Sequence, residues 1–194
     1  MTLLKAIDQE IDKCKIKLLQ KSLSKSPLTL SELSTFQRII LITDGTLTDI
    51  LEIYLLEKIS ICKLSEEIIN LVETVPALNL KEGVNVIKRK IFLQGKISQK
   101  NWIYAESIIV PERLDVLFQE QLLNSEKPIG KLWLEYRVET FKEIIDLSQE
   151  PAGDLSEYFQ INQDEKLFSR TYRVFSQGQP IMMITEKFPE SYFI

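Results

Sequence analysis

Two side chains that could bind or protonate a small molecule, Arg89 and Glu186, fall in predicted β-strands where an apolar residue is expected. The stretch Val86–Gln94 alternates in the manner of a strand. In that alternation Arg89 shares one face with the aliphatic residues Ile87 and Ile91. Burying an unpaired guanidinium costs several kcal/mol, so we expect Arg89 to face an anionic or strongly accepting partner.

The last predicted strand, residues 181–188, places a carboxylate in an apolar row in the same way. Glu186 shares its face with Ile184 and Phe188. Two interpretations follow. Either Arg89 and Glu186 form a buried ion pair that is structural, or they face a polar ligand from two sides of a cavity.

Three further charged residues lie in predicted strands, and the pattern leaves their roles open. Glu106 is a weaker case of an embedded charge, because its strand is apolar on both faces. Arg170 and Arg173 lie three positions apart in one strand and therefore point to opposite faces. We expect one of these two arginines to be solvated.

Composition excludes several kinds of chemistry. The 194 residues include no histidine, which removes Ser/His/Asp and Cys/His catalysis and the commonest metal ligand. Cys14 and Cys62 show no ligand spacing and fit apolar positions, so we interpret them as reduced core residues. The net charge of −4 gives no basic field for nucleic acid. A small anion would have to be bound by a few local cations.

The N-terminal part is predicted to be helical. Apolar residues at helical spacing predict an amphipathic helix over residues 7–20, which with its loop forms a segment 1–27 before a single domain 28–194. A second helix is expected from Thr29 or Ser31 to Ile42, and a third from Thr46 or Thr48. The start lacks an apolar signal core, and no run approaches the roughly 20 residues that span a bilayer, which favours a reducing compartment.

The remainder predicts about six strands joined mostly by short turns. Strands are expected at 58–64, 86–94, 102–110, 132–139, 166–176 and 181–188, a helix at 111–124, a connector at 65–80 and irregular chain at 149–163. This pattern indicates an α+β fold, an antiparallel sheet with helices on one face.

Several motifs, in this order and spacing, resemble chorismate lyase, and more closely the chorismate-lyase-like branch of cyanobacteria and red-algal plastids. The resemblance extends from about Ile39 to the C-terminus. The residues that carry it are 41–48 (LITDGTLT), 88–93 (KRKIFL), 104–111 (YAESIIVP), 128–130 (PIG) and 184–189 (ITEKFP).

The resemblance implies conversion of chorismate to 4-hydroxybenzoate and pyruvate, feeding quinone-type aromatic biosynthesis, in the cytoplasm of a cyanobacterium or a plastid stroma. It implies no cofactor and no metal. It further implies that Arg89 holds the ring carboxylate, that backbone groups of Leu47 and Ile129 assist, and that Glu186 meets the 4-hydroxyl end. An arginine of the better-known bacterial enzymes is replaced near Ser107.

Two other classes of function remain open. The same fold serves as the effector-sensing domain of bacterial transcription regulators, so the protein could be a non-catalytic module that binds aromatic acids. The roughly 40 residues before the sheet, however, include no convincing helix-turn-helix with a basic recognition helix. A purely structural interaction protein lacks support, because the sequence shows no exposed apolar stripe or heptad. Oligomeric state stays open.

Overall fold

The computed structural model describes residues 32–125 and 127–194. The predicted first helix, the segment 1–27 and Cys14 lie outside the described residues, as do the two expected starts of the second helix, Thr29 and Ser31.

A single six-stranded antiparallel sheet organises the described chain, with the strand order β1-β2-β3-β6-β5-β4. The strands are β1 (Ile59–Asn70), β2 (Asn85–Gly95), β3 (Asn101–Ile109), β4 (Phe141–Pro151), β5 (Lys166–Ser176) and β6 (Gln179–Pro189). The two predicted hairpins, β2–β3 and β5–β6, are present and pair with each other through β3 and β6. The predicted α+β class with about six antiparallel strands is confirmed.

Within residues 32–125 and 127–194, four helices cover one face of the sheet. They are α1 (Thr35–Ile42), α2 (Leu47–Leu55), α3 (Val116–Asn124) and α4 (Ile129–Glu135). Their apolar residues join inward residues of the strands in one core, which includes Ile40, Leu51, Phe118, Leu132, Ile87, Ile103 and Phe188. The one-turn helix α5 (Ser156–Phe159) instead packs Phe159 against Phe92 and Tyr104 on the other face.

Helix α1 begins later than the sequence suggested. Its N-cap is Ser34, whose hydroxyl accepts a hydrogen bond from the Gln37 N–H at 3.0 Å, while the Gln37 side chain accepts from the Ser34 N–H at 2.7 Å. This reciprocal capping box satisfies two N–H groups that a helix end leaves unpaired. Helix α2 begins directly after Thr46, which is one of its two expected starts.

The predicted strand 132–139 is wrong. Residues 129–135 form α4, and the strand that follows, β4, begins only at Phe141. The helix buries Leu132 and Trp133, which are adjacent, and leaves Leu134 exposed. The alternation of apolar residues therefore did not reflect a two-residue period, and packing against the core decided in favour of a helix.

Three other boundaries differ. The connector 65–80 is wrong in its first part, because β1 continues to Asn70 past a bulge at Leu64. The helix predicted over 111–124 is a 3₁₀ turn followed by α3, which is capped by the Asp115 carboxylate. The segment 149–163 holds the end of β4 and helix α5.

Candidate active site

A cavity lies between the helix-covered face of the sheet and the first residues of α2 and α4. The space inside it, counted together with its opening to solvent, is about 590 Å³. Its walls are mostly apolar, with Ile91, Leu93, Trp133 and Ile184 among them. The four residues expected to bind substrate all line it: Leu47, Arg89, Ile129 and Glu186.

Arg89 is a buried cation with unused donors. Its side chain is 3% exposed, and within the described residues neither Nε nor Nη2 donates a hydrogen bond. The nearest carboxylate oxygen is Oε2 of Glu66, 3.4 Å from Nε. Burial lowers the pKa of Arg89, and the charge of Glu66 opposes that shift. Arg89 can therefore accept an anionic ligand without breaking a hydrogen bond.

Glu66 reaches Arg89 because of the bulge in β1. The pairing between β1 and β2 shifts between Lys63 and Ser65, after which Glu66 stands opposite Arg89. A bulge changes which side chains face the core, because it adds one residue to one strand. Oε1 of Glu66 accepts a hydrogen bond from Lys63 Nζ at 2.7 Å. The sequence prediction missed Glu66, since it ended this strand at Leu64.

Glu186 is held by two neighbours on β5. Its side chain is buried, and Oε2 accepts a hydrogen bond from Arg170 Nε at 2.6 Å, while Oε1 accepts one from the Tyr172 hydroxyl at 3.0 Å. Arg170, 1% exposed, also donates from Nη1 to the carbonyls of Ile40 and Thr43. Burial and the adjacent carboxylate raise the pKa of Tyr172. Arg170 and Tyr172 thus fix the orientation of the carboxylate.

The direct ion pair between Arg89 and Glu186 is absent from the described structure, and each has another partner: Glu66 for Arg89 and Arg170 for Glu186. Both nevertheless line the same cavity, as the ligand-facing interpretation expected. Arg89 on β2 and Glu186 on β6 are separated by β3. The residue of β6 in register with Arg89 is Ile184, two positions before Glu186, so the Cα atoms of Arg89 and Glu186 lie about 12 Å apart.

The two other charges flagged in the sequence lie away from this site. Arg173 points to the opposite face from Arg170, as predicted, but it is half-buried rather than solvated. Its Nε donates to Glu143 at 2.7 Å and its Nη1 donates to the Ala77 carbonyl at 3.0 Å. The Glu106 carboxylate, half exposed, accepts a hydrogen bond from the Tyr104 hydroxyl at 2.5 Å.

Lys142 is a further cation of the cavity. Its Nζ donates to the Gly45 carbonyl at 2.8 Å and lies 5.2 Å from the Trp133 ring and 5.7 Å from the Tyr172 ring. Burial lowers the pKa of Lys142, and the charge of Glu186 opposes this. The sequence prediction missed Lys142 because it placed the fourth strand at 132–139. Alternation over the true strand, 141–151, would not have found it either, because the pairing of β4 with β5 shifts between Ile144 and Asp146, and only with that shift does Leu147 share a face with Lys142.

The segments that cover the cavity touch each other. A Cβ added to Gly130 would lie 2.5 Å from Cγ2 of Thr46, so this position requires glycine for the close approach. Below them, Glu52 of α2 accepts hydrogen bonds from Lys131 of α4 at 2.8 Å and from the Ile59 N–H at 3.1 Å. Burial raises the pKa of Glu52, but these hydrogen bonds outweigh it and lower that pKa to about 2.

Other classes of site find no support in the part of the chain that the structure describes. Residues 32–125 and 127–194 hold no cluster of three or more His, Cys, Asp or Glu side chains arranged for a metal ion. No helix in these ranges is long and apolar enough to cross a membrane. Cys62 is a free cysteine, half-buried against the apolar cluster on the outer face.

Three proteins of known structure illustrate that this fold occurs elsewhere. PhnF from Mycobacterium smegmatis matches with a TM-score of 0.62 and 9% identity, covering 79% of this chain and 67% of that one. The PhnF effector domain alone matches with a TM-score of 0.60 and 9% identity, covering 76% and 90%. A GntR-family regulator from Bacillus cereus gives a TM-score of 0.55 and 9% identity, covering 70% and 94%. These similarities concern the fold alone.

Sequence comparison is more specific. A family model described as chorismate pyruvate-lyase, Rv2949c-like, matches residues 41–193. The chorismate pyruvate-lyase of Mycobacterium leprae is 32% identical over 161 residues, covering 80% of this chain and 75% of that protein. The protein of the same name from Mycobacterium tuberculosis is 32% identical over 166 residues, covering 80% of both. The chain therefore belongs to the chorismate pyruvate-lyase family.

Proposed function

We propose that this protein converts chorismate to 4-hydroxybenzoate and pyruvate. One observation carries the proposal: Arg89, a buried arginine with unused donors, and Glu186, a buried glutamate with a fixed orientation, line the same cavity. The chain that holds them belongs to this family. The mostly apolar walls of the cavity, with a few charged groups among them, suit an aromatic acid.

The reaction is an elimination, and the aromaticity of the product provides its driving force. The bond between ring carbon 3 and the enolpyruvyl oxygen breaks, and the hydrogen on ring carbon 4 leaves as a proton. The ring keeps its 4-hydroxyl and becomes 4-hydroxybenzoate, while the enolpyruvate leaving group takes up a proton on its methylene carbon to give pyruvate. Atoms and charges balance without an oxidant. The protein then mainly orients the substrate and stabilises the leaving oxygen.

Arg89 binds the ring carboxylate in this proposal. Its Nε and Nη2 are adjacent donors, and two adjacent donors match the two oxygens of a carboxylate in a bidentate pair. Leu47 and Ile129 are the first residues of α2 and α4, and N–H groups in the first turn of a helix lack partners within it. Their backbone groups supply the additional donors.

Glu186 meets the 4-hydroxyl and takes part in the proton transfer. Arg170 and Tyr172 each occupy one of its oxygens with one hydrogen bond. A carboxylate oxygen can accept more than one hydrogen bond, so Glu186 keeps the capacity to accept from a substrate hydroxyl. The covering segments around Leu47 and Ile129 exclude water from the reacting ring.

A turnover assay tests the proposal. Purified protein is incubated with chorismate, and 4-hydroxybenzoate is followed by chromatography. Wild type should form it, Arg89→Met should lose at least about 100-fold in kcat/KM, and the control Arg173→Met should retain the rate. If the wild type forms no 4-hydroxybenzoate, the lyase proposal is wrong. If Arg89→Met equals wild type, the role of Arg89 is wrong.

The effector-module alternative predicts a different result in the same experiment. A stand-alone sensor would bind 4-hydroxybenzoate in calorimetry and leave chorismate intact. No feature of the described cavity favours this alternative over the lyase.

We also propose a cyanobacterial or plastid setting, the cytoplasm or the stroma, with the product entering quinone-type aromatic biosynthesis. The order and spacing of the motifs within residues 41–189 support it, as does a composition rich in Lys, Ile, Leu and Ser, which is typical of an AT-rich genome. Expression in a bacterial strain that needs added 4-hydroxybenzoate tests the destination of the product. Restored quinone synthesis is the expected result.

A further inference from the structure

The substrate of the proposed reaction is a dianion, whereas 4-hydroxybenzoate carries one carboxylate. Chorismate has one carboxylate on the ring and another on the enolpyruvyl side chain. In a protein of net charge −4, each carboxylate needs a local cation, because the average field repels anions. Arg89 serves the ring carboxylate in the proposal, so a second cation is required.

The described residues around the cavity offer few choices for that cation. Arg170 is paired with Glu186 and is not among the residues that line the cavity. Lys142, by contrast, lines the cavity and uses one donor on the Gly45 carbonyl. An ammonium group has three donors, so two remain for a ligand.

The strand order puts Lys142 in the right place relative to the reacting carbons. Arg89 lies on β2, Glu186 on β6 and Lys142 on β4, and the order β2-β3-β6-β5-β4 puts Glu186 midway, two strands from each cation. At about 4.8 Å between strands, the two cations stand on opposite sides of Glu186, and their long side chains line the same cavity. A ring held by Arg89 at its carboxylate and by Glu186 at its 4-hydroxyl then has carbon 3, which carries the ether, at the end nearer β4.

Resting on the proposed function, we infer that Lys142 binds the enolpyruvyl carboxylate and makes the site selective for a dianion. The environment of its ammonium group supports this. Burial holds the pKa of Lys142 below its usual value, so the group is partly stripped of water, and a carboxylate gains more from such a cation than from a solvated one. The carboxylates of Glu186 and Asp44 raise the same pKa and favour the charged form, whereas the charge of Arg170 lowers it.

A structural role for Lys142 is the competing explanation. Its hydrogen bond to the Gly45 carbonyl ties β4 to the segment that precedes α2. If that were its whole role, its removal would weaken the binding of every ligand of the cavity alike.

Two stable ligands separate these explanations. Vanillate, 4-hydroxy-3-methoxybenzoate, carries one carboxylate and an ether at ring position 3. Its analogue 3-(carboxymethoxy)-4-hydroxybenzoate carries a second carboxylate on that ether. Both are aromatic already and cannot undergo the elimination. Calorimetric Kd values therefore report recognition without turnover.

The variants are Lys142→Met, Lys142→Arg and, as a control, Lys187→Met. Lys187 neighbours Glu186 in sequence but pairs with Glu150 outside the cavity. We expect wild type to bind the dianion more tightly than vanillate. Lys142→Met should weaken dianion binding about 10- to 100-fold and vanillate binding less than about threefold. Lys142→Arg should restore most of the loss, and Lys187→Met should match wild type.

Three results would overturn the inference: equal weakening of both ligands by Lys142→Met, no weakening of dianion binding, or a wild type that does not prefer the dianion. Unchanged vanillate binding also shows that the variant is folded. Failure of the lyase proposal appears separately, in the chorismate assay, since the binding experiment involves no reaction.

Discussion

Arg89 and Arg170 are two equally buried arginines whose replacement by methionine should cost different amounts of stability. Their side chains are 3% and 1% exposed. Arg170 donates to one carboxylate and two carbonyls, whereas Arg89 has two donors without a hydrogen-bond partner in the described structure. The two side chains are thus of the same type and similarly buried, and they differ in how many of their donors make hydrogen bonds.

The expected magnitudes follow from that difference. Removing Arg170 leaves the Glu186 carboxylate buried without its cation, and breaking a buried pair in this way costs about 3–5 kcal/mol in the free energy of unfolding. Removing Arg89 deletes a desolvated charge, but it also takes away the ion-pair partner of Glu66 Oε2, 3.4 Å from Nε, while Glu66 keeps its hydrogen bond from Lys63. Because Glu66 is more exposed than Glu186 and its ion pair is longer, Arg89→Met should cost less in the free energy of unfolding than Arg170→Met, about 1–2 kcal/mol.

Urea unfolding with and without 4-hydroxybenzoate measures both effects. At a 100-fold excess over Kd, the ligand should stabilise wild type by about 2.7 kcal/mol. It should not stabilise Arg89→Met, because the variant lacks the group that binds the carboxylate. If Arg89→Met loses as much stability as Arg170→Met, Arg89 is a structural arginine and the reasoning is refuted. If 4-hydroxybenzoate stabilises Arg89→Met as much as wild type, Arg89 does not bind the carboxylate.

Further predictions concern catalysis, the cover and acid stability. Glu186→Gln should lower kcat by about 100-fold or more while changing the Kd of 4-hydroxybenzoate less than tenfold, as measured by steady-state kinetics and calorimetry. Gly130→Ala should raise KM and cost about 1–3 kcal/mol by pushing on Thr46, and the added change Thr46→Ser, which removes Cγ2, should recover part of both in kinetics and urea unfolding. Because the pKa of Glu52 falls from 4.5 to about 2 on folding, its carboxylate stabilises the protein above pH 4.5, and this contribution is lost as the pH falls toward 2. Glu52→Gln should thus cost at most about 3 kcal/mol at pH 7, and the difference from wild type in urea unfolding should shrink below pH 4.5.

The parts of the site that the sequence predicted depend on strand alternation. Arg89 and Glu186 lie in regular hairpin strands, where a two-residue period assigns each side chain to a face without knowledge of the partner strand. Arg170 obeys the same rule between Phe168 and Tyr172, both of which belong to the main core. Its place could have been predicted, but its choice of Glu186 as partner depends on the pairing of β5 with β6.

The parts that were missed depend on longer-range packing. Glu66 faces Arg89 because of a bulge, and one inserted residue reverses every later assignment of faces in that strand. Lys142 was missed because residues 132–138 mimic a strand, although Leu132 and Trp133 are buried together as neighbours on a helix. Neither the bulge in β1 nor the helical state of residues 129–135 can be read from the local sequence, since both depend on what these segments pack against.

The sheet and its helices provide a cavity, and inward-facing charges determine what that cavity can do. A transcriptional regulator that is only 9% identical to this chain shares the fold, so the architecture alone specifies no reaction. A charge at an inward strand position leaves the alternation of its neighbours intact, as Arg89 between Ile87 and Ile91 illustrates. Such a buried charge lowers the stability of the fold unless another group compensates it. Arg170 is compensated within the protein, whereas for the two unused donors of Arg89 a bound carboxylate is the matching partner.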